Sequence, residues 1–267
     1  MPTRSLVKQL LAQGDRVLKP PAGVTVLIYH RVGGDSGSEV DLDADAFRAQ
    51  LEHLREHHQV VTLDAAVEAL RDGAPIDDAV VLTFDDGTAD FCDVVVPALV
   101  AAGVPATLYA ATHFISTGTP FPWDAPPASW AGLRDAVATG LVTIGSHTHT
   151  HALLDRADPA SIGDELDRSI DLIATEIGER PAHFAYPKAL GGSPEAEAEV
   201  RRRFTSAALA RSRVNVPGKT DPHRLWRTPI QRSDGERYFA TKAAGGMRLE
   251  GELRDLVARV KYRTAKN

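Results

Sequence analysis

The sequence predicts an α/β fold built on a parallel sheet, and three observations carry that prediction. Strand-like and helix-like segments alternate about seven times along the chain, the pattern of strands joined by crossover helices. The length of 267 residues suits one barrel domain, for which about 250 residues is typical. The polar residues of chemical interest fall where apolar runs end: His30, Asp85–Asp86, His147–His151 and Tyr186–Pro187. An open doubly wound sheet and a closed barrel both satisfy the alternation. No G-x-G-x-x-G follows the first apolar run and no Walker sequence is present, so a nucleotide site is not indicated. In a parallel barrel all the strand ends lie on one face, where active sites form.

The elements follow in order. Residues 1–23 form a basic segment in which Leu6, Val7, Leu10 and Leu11 share one side of a short helix. It is expected to dock on the barrel, with attachment to an anionic membrane through Arg4, Lys8, Arg16 and Lys19 as the alternative. VTVLIYH (24–30) reads as a buried strand, and 43–57 as a helix with Phe47, Leu51 and Leu54 at helical spacing. QVVTL is a short strand, and DAAVEALRDG a helix with an Asp64 cap and a glycine stop. AVVLTF (79–84) is a strand, 89–102 a helix ending at Gly103, and PATLYAA (105–111) a strand. Residues 113–128, rich in Pro, Gly and Thr, read as a long loop. A helix over 129–139, a strand over 141–147 and a strong helix over 159–177 come next, the last stopped by Gly178. AHFAYP is a strand, 193–203 a helix, TSAALA a strand, 211–224 an irregular loop, RLWRTPI a strand, and 235–262 mostly helix. The expected organisation is therefore the N-terminal segment 1–23, a barrel over 24–232, and a helical segment over 233–267 packed on it.

Composition excludes several classes. Thirty Lys and Arg against 36 Asp and Glu give a net charge of -6, unlike the basic face of a nucleic-acid binder. No apolar run reaches the roughly 18 residues of a membrane span. The N-terminus lacks an apolar signal core and a cleavage site, so a cytoplasmic location is expected, with the basic termini able to touch the inner membrane face. The single cysteine, Cys92, permits no internal disulfide and reads as a small buried hydrophobe rather than a nucleophile.

SHTHTH (146–151) sets His147 and His151 four residues apart. With one carboxylate they can hold a divalent cation and leave positions open. His149 lies between them, and spacing alone does not remove it from the ligand set. Asp85 and Asp86 then divide the labour: one ligates, and the other stays free as a general base. The structural alternative for the pair is a helix cap with a first-turn acid, against which the adjacent Gly87 argues for a tight turn.

TFDDG (83–87), SHTHTH (146–151) and FAYP (184–187), in this order and spacing, resemble the first three motifs of the polysaccharide deacetylase family. This is carbohydrate esterase family 4, built on the NodB-homology domain. The resemblance covers roughly residues 24 to 232. It implies a distorted (β/α)7-8 barrel and removal of N-acetyl, in some members O-acetyl, groups from amino sugars and glycans. By position it implies Asp85 as general base and Asp86, His147 and His151 as ligands to a metal, usually Zn2+, with Co2+, Mn2+ or Ni2+ able to serve. Thr148 would support the ligand loop. Tyr186, Pro187 and the backbone N–H of Lys188 would border the substrate and its oxyanion.

The chain departs from the family pattern in three places. Lys188 and Ala189 replace an aromatic and a glycine. No arginine precedes the Tyr–Pro pair, and Arg227 in RLWRTP is the best replacement to orient the base, with Arg180 poorer. No histidine follows residue 223, where the family's acid usually lies. VLIYHRV (26–32) instead resembles the opening strand of exopolysaccharide N-deacetylases, which implies His30 as the acid.

FISTGTPFPWDAPPASW (114–130) is expected to wall the cleft, with Phe121, Trp123 and Trp130 as candidate sugar-stacking surfaces, core packing being the other reading of Trp130. The expected partner is an N-acetylated sugar: a polymer, or a lipid-linked, nucleotide-linked or small amino sugar. Two rivals are a non-haem iron oxygenase, which the alternation of strand and helix opposes, and a deacetylase-like barrel that binds sugars without turnover.

Overall fold

A computed structural model describes residues 19–34 and 36–252 of the chain. The basic amphipathic helix expected before residue 19, and the helix expected beyond 252, lie outside the described residues.

Seven parallel strands close on themselves. β1 (Val24–Tyr29) is flanked by β5 (Ala79–Asp86) on one side and β10 (Leu225–Pro229) on the other. From β10 the order runs through β9 (Ser206–Ala210), β8 (His183–Ala185), β7 (Val142–Ser146) and β6 (Ala106–Ala110) back to β5. Every one of these pairings is parallel. The closed barrel settles the choice left open by the alternation alone. β1 is buried along its whole length because strand neighbours close both edges and other layers cover both faces. The two-residue β4 (Gln59–Val60), shorter than the expected QVVTL strand, pairs with the start of β5, below the point where β6 begins. A second small pairing joins β2 (Arg31–Val32) to β3 (Asp41–Leu42), just beyond β1.

The helices follow the apolar spacing. α1 (Ala44–His57) is capped by Asp43, which accepts from Asp45 N–H and Ala46 N–H, and it buries Phe47, Leu51 and Leu54. α2 (Leu63–Asp72) is capped by Thr62 rather than Asp64. The threonine hydroxyl reaches Ala65 N–H, and Asp64, inside the first turn, bonds His183 instead. Leu63, Ala66, Val67 and Leu70 of α2 pack with strand-start residues such as Val24 and Ala79. That helix therefore covers the barrel end opposite the strand C-termini.

The segment after β5 opens with a π turn, Phe91–Val95, and continues as α3 (Val96–Ala102). Cys92 lies in that turn, partly buried, and burial with nearby acids pushes its thiol up to about 11. It is therefore a thiol at neutral pH, which fits the packing reading and not a nucleophile.

The stretch expected as loop over 113–128 contains α4 (Thr112–Thr117), ended by Gly118 at positive φ, and a 3-10 turn at Pro122–Asp124. α5 (Trp130–Ala138), α6 (Pro159–Ile177) and α7 (Pro194–Arg203) lie close to their expected bounds. α8 (Gly235–Ala243) is shorter than expected. The chain breaks after it and resumes as helix at 248. Phe239 and Ala243 of α8 enter the main core together with Phe47, Leu51 and Leu54 of α1, so α8 is packed on the barrel's outer layer.

Candidate active site

β5 ends in Thr83, Phe84, Asp85 and Asp86, and strand alternation separates the last two side chains. Asp85 is buried, and Arg227 of β10 meets it with a two-pronged grip. Nη1 donates to Oδ1 at 2.6 Å and Nη2 to Oδ2 at 2.9 Å. Arg227 is itself fully buried. Its Nη1 also donates to Thr83 Oγ1 (3.2 Å) and its Nε to Leu209 O (3.3 Å). Tyr109 lies beneath it, with the ring centroid 5.1 Å from the guanidinium carbon. Burial alone would raise the Asp85 pKa. The Arg227 charge, with that of His147 and the hydrogen bonds from Arg227, outweighs it and brings the carboxyl down to about 2.

Asp86 adopts φ 75, which turns its side chain from the strand toward the histidines. Oδ1 lies 3.7 Å from His147 Nε2 and 3.4 Å from His151 Nε2. One ligand atom from each of these three residues lies within 4.8 Å of the others, a span that one ion can bridge. His147 is oriented by donating from Nδ1 to Ala185 O at 2.7 Å, which leaves the Nε2 lone pair facing Asp86, the usual tautomer of a ligating imidazole. Burial lowers the pKa of both imidazoles. His151 falls to about 4, with the His147 charge adding to the burial effect. Both rings are neutral near pH 7 and offer lone pairs. Asp85 stands 3.8 Å from His147 Nε2, beside the triad and engaged by Arg227.

The turns that carry these ligands are strained and tied down. Gly87 has φ 98, and a Cβ there would meet Ile115 Cδ1 at 3.1 Å, so the turn after the acid pair requires glycine. Thr148 and His151 both have φ 63. Thr148 Oγ1 accepts Ala152 N–H at 3.1 Å, the supporting role expected of it. Glu165 on α6 accepts from His149 N–H, Thr150 N–H and the Thr150 hydroxyl. His149 is drawn away from the triad, its Nδ1 hydrogen-bonded with Thr112 Oγ1 at 2.9 Å, which resolves the ligand ambiguity of SHTHTH.

His30 directly follows β1, at the same end of the barrel, and its charge acts on Asp85. Lys188 is exposed, follows β8, and acts by its charge on His151. Lys188 and Ala189 both take positive φ, in a turn closed by Ala189 N–H to Tyr186 O at 2.9 Å. The Tyr186 side chain is not in the cleft. Ala185 faces the barrel interior, so Tyr186 turns outward and packs with Leu166, Ile170 and Phe204.

Trp123 is 63% exposed at φ 61. It sits on a loop whose far end is bonded to the acid pair's turn through Ala128 N–H to Gly87 O and Ala89 N–H to Pro126 O. Phe114 and Phe121 stack at 4.3 Å. Trp130 packs against the main core and donates to Ser116 Oγ at 3.3 Å, the packing reading rather than the stacking one.

Sequence reasoning missed Glu165, Tyr109 and the Ala185 carbonyl. Each reaches the site through tertiary contact, and no local spacing marks it.

A family profile described as polysaccharide deacetylase matches residues 72–202. The poly-beta-1,6-N-acetyl-D-glucosamine N-deacetylase of Escherichia coli K12 is 30% identical over 145 residues, 48% of this chain. That match spans only 21% of the relative's length. Among solved structures, IcaB from Ammonifex degensii superposes with a TM-score of 0.75 at 23% identity, over 84% of this chain and 98% of its own. The Streptococcus pyogenes deacetylase PplD, in complex with acetate, gives 0.73 at 20% identity over 84% of this chain and 99% of its own. At these identities the structures speak for the fold, the closed barrel described above. Motif order, profile and barrel agree: residues 72–202 form a polysaccharide deacetylase domain, of the kind classed as carbohydrate esterase family 4, on a barrel with the NodB-homology fold.

Proposed function

We propose that the chain is a metal-dependent hydrolase that removes the N-acetyl group from an amino sugar or glycan. The observation that carries this reading is the triad of Asp86, His147 and His151 with a second, ionised carboxylate held free beside it by Arg227. Two neutral imidazole nitrogens and one carboxylate oxygen suit Zn2+, or Co2+, Mn2+ or Ni2+. A cation bound there supplies Lewis-acid polarisation of the acetyl carbonyl and makes nearby water more acidic.

The chain's own residues do the rest. Asp85 accepts a proton from the attacking water at a carboxylate oxygen, while Arg227 fixes its orientation. In this reading the backbone N–H of Lys188, which lies just past β8, donates to the developing oxyanion. His30, protonated, gives its proton to the sugar nitrogen as the carbon–nitrogen bond breaks. One water is consumed, and acetate and the free amine result. Trp123 offers a stacking face to a sugar ring. The named curated relative acts on a poly-N-acetylglucosamine, which makes an N-acetylglucosamine polymer the first substrate to try here.

Acetate release tests the reading. Purified chain is incubated with N-acetylated polymers, lipid-linked sugars and nucleotide sugars, with and without a chelator. Release that stops with chelator and returns with added Zn2+ or Co2+ is expected. Sugar binding without acetate release from any of them would make the chain a non-catalytic binder.

A further inference from the structure

The mechanism leaves unused a cluster of charged side chains just beyond His30. Arg31, the next residue, is almost buried between two carboxylates, its Nη1 3.6 Å from Asp41 Oδ2 and its Nε 3.8 Å from Asp90 Oδ1. Asp90 also accepts Val32 N–H through Oδ2 at 2.6 Å, a short, charge-assisted bond. Asp41, fully buried, accepts Gly33 N–H at 3.1 Å, Gly34 N–H at 2.8 Å and Ser36 N–H at 2.9 Å. The backbone that leaves β1 is thus bonded to carboxylates at Val32, Gly33, Gly34 and Ser36.

The two acids come from different places. Asp41 lies on β3, within the same excursion of the chain. Asp90 belongs to the stretch that begins with Asp85 and Asp86, where it precedes the π turn at Phe91. A π turn shifts the register of the following helix and is frequent at functional sites. Asp90 therefore links the segment carrying the base and a metal ligand to the segment carrying the histidine. Two catalytic groups on separate strands need such a tie, because a misplacement of about 1 Å can cost about 100-fold in rate.

We propose that Asp90 is a positioning residue: by gripping Val32 N–H and Arg31 it holds His30 where the departing nitrogen receives its proton. The inference rests on the reading of His30 as proton donor. Its signature is selective. An amide needs the proton, because an amine anion is a poor leaving group, whereas the phenolate of 4-nitrophenyl acetate leaves without one. Loss of proton-donor alignment therefore lowers the ratio of amide to ester hydrolysis. A general loss of fold or of bound cation lowers both rates together.

The experiment measures that ratio on full-length protein, with an N-acetylglucosamine oligomer and 4-nitrophenyl acetate, alongside bound-cation content and thermal midpoint. His30→Ala is expected to lower the ratio by about 10²–10⁴-fold. Asp90→Ala should lower it by roughly 10–100-fold, and Asp90→Asn, which keeps an acceptor for Val32 N–H, should stay within about 3-fold of wild type. The double variant His30→Ala/Asp90→Ala should show no further fall, because both changes remove one interaction. Where the alanine variant fails to fold, Asp90→Ser, whose shorter side chain does not reach Val32 N–H, carries the same expectation. An unchanged ratio in Asp90→Ala or Asp90→Ser, with His30→Ala low, overturns the positioning role alone, and so do independent losses that multiply in the double variant. A wild-type ratio in His30→Ala overturns the proton-donor reading itself, and the proposal with it.

Discussion

Asp85 is ionised in a place where burial would otherwise keep it protonated. Arg227 is the reason, and it gives the site its pH behaviour. With the carboxyl near 2 against an ordinary 3.8, its contribution to stability is present above about pH 4 and is lost as pH falls toward 2. Arg227→Met removes the largest opposition to burial, so the carboxyl moves up. The acid limb of kcat/KM is predicted to shift to higher pH, and stability at neutral pH to fall by about 3–5 kcal/mol, as for other broken buried ion pairs. A pH–rate profile and a denaturant titration check both. Arg227→Lys restores charge but not the two-pronged geometry, so it should recover stability better than turnover. Asp85→Asn is predicted to retain the cation and lose turnover by at least about 100-fold, read from metal analysis and acetate release on one sample. At this scale the candidate ligands and base were legible in the sequence, because TFDDG and SHTHTH carry them within a few residues. The Arg227 grip was legible only as a candidate, since 142 positions separate it from Asp85. The outward turn of Tyr186 was not legible, because it depends on which face of β8 the barrel encloses.

Two features of the elements decide whether the site is held. Lys242 of α8 is buried with Asp234, donating to both carboxylate oxygens at 2.9 Å and to Pro229 O at 2.8 Å. This anchors the chain that leaves β10, two residues past Arg227. Lys242→Met strands Asp234 without its cation and is predicted to destabilise by about 3–5 kcal/mol, measured by chemical denaturation. On β7, Gly145 leaves room for Tyr109. A Cβ there would meet Tyr109 Cδ1 at 2.6 Å and His183 O at 2.9 Å. Gly145→Ala should cost about 1–3 kcal/mol through overpacking and disturb the ring beneath Arg227, seen as a lower thermal midpoint. At the opposite end of the barrel, His183 bonds Ser206 and Asp64 at 2.9 Å each, a serine–histidine–aspartate chain by composition. Ser206 is fully buried, so the chain joins β8, β9 and α2 and offers no nucleophile. Elements with regular apolar spacing, such as α1 and α6, were legible to within a residue or two. α4 was not, because its residues sit among turn formers and its ordering comes from tertiary contacts such as His113 N–H to His149 O.

Over the whole molecule, closure of the parallel sheet brings β5, β7, β8, β10 and β1 to one rim. Residues as distant as 30, 85, 147, 188 and 227 therefore converge there. Alternation of strand and helix announced the parallel sheet, but not its closure, which β1 achieves by pairing with both β5 and β10. The same convergence places the three candidate ligands, Asp86, His147 and His151, around one point. A cation bound there is predicted to raise the thermal midpoint, since it binds only the folded chain. His151→Ala should abolish that shift, in a scanning measurement with and without Zn2+. The most direct test is anomalous diffraction at the zinc edge from crystals grown with Zn2+. The account predicts one peak about 2.0–2.2 Å from Asp86 and the Nε2 atoms of His147 and His151, with Asp85 outside bonding distance and still paired with Arg227. A peak elsewhere, or one coordinated by Asp85, would contradict it.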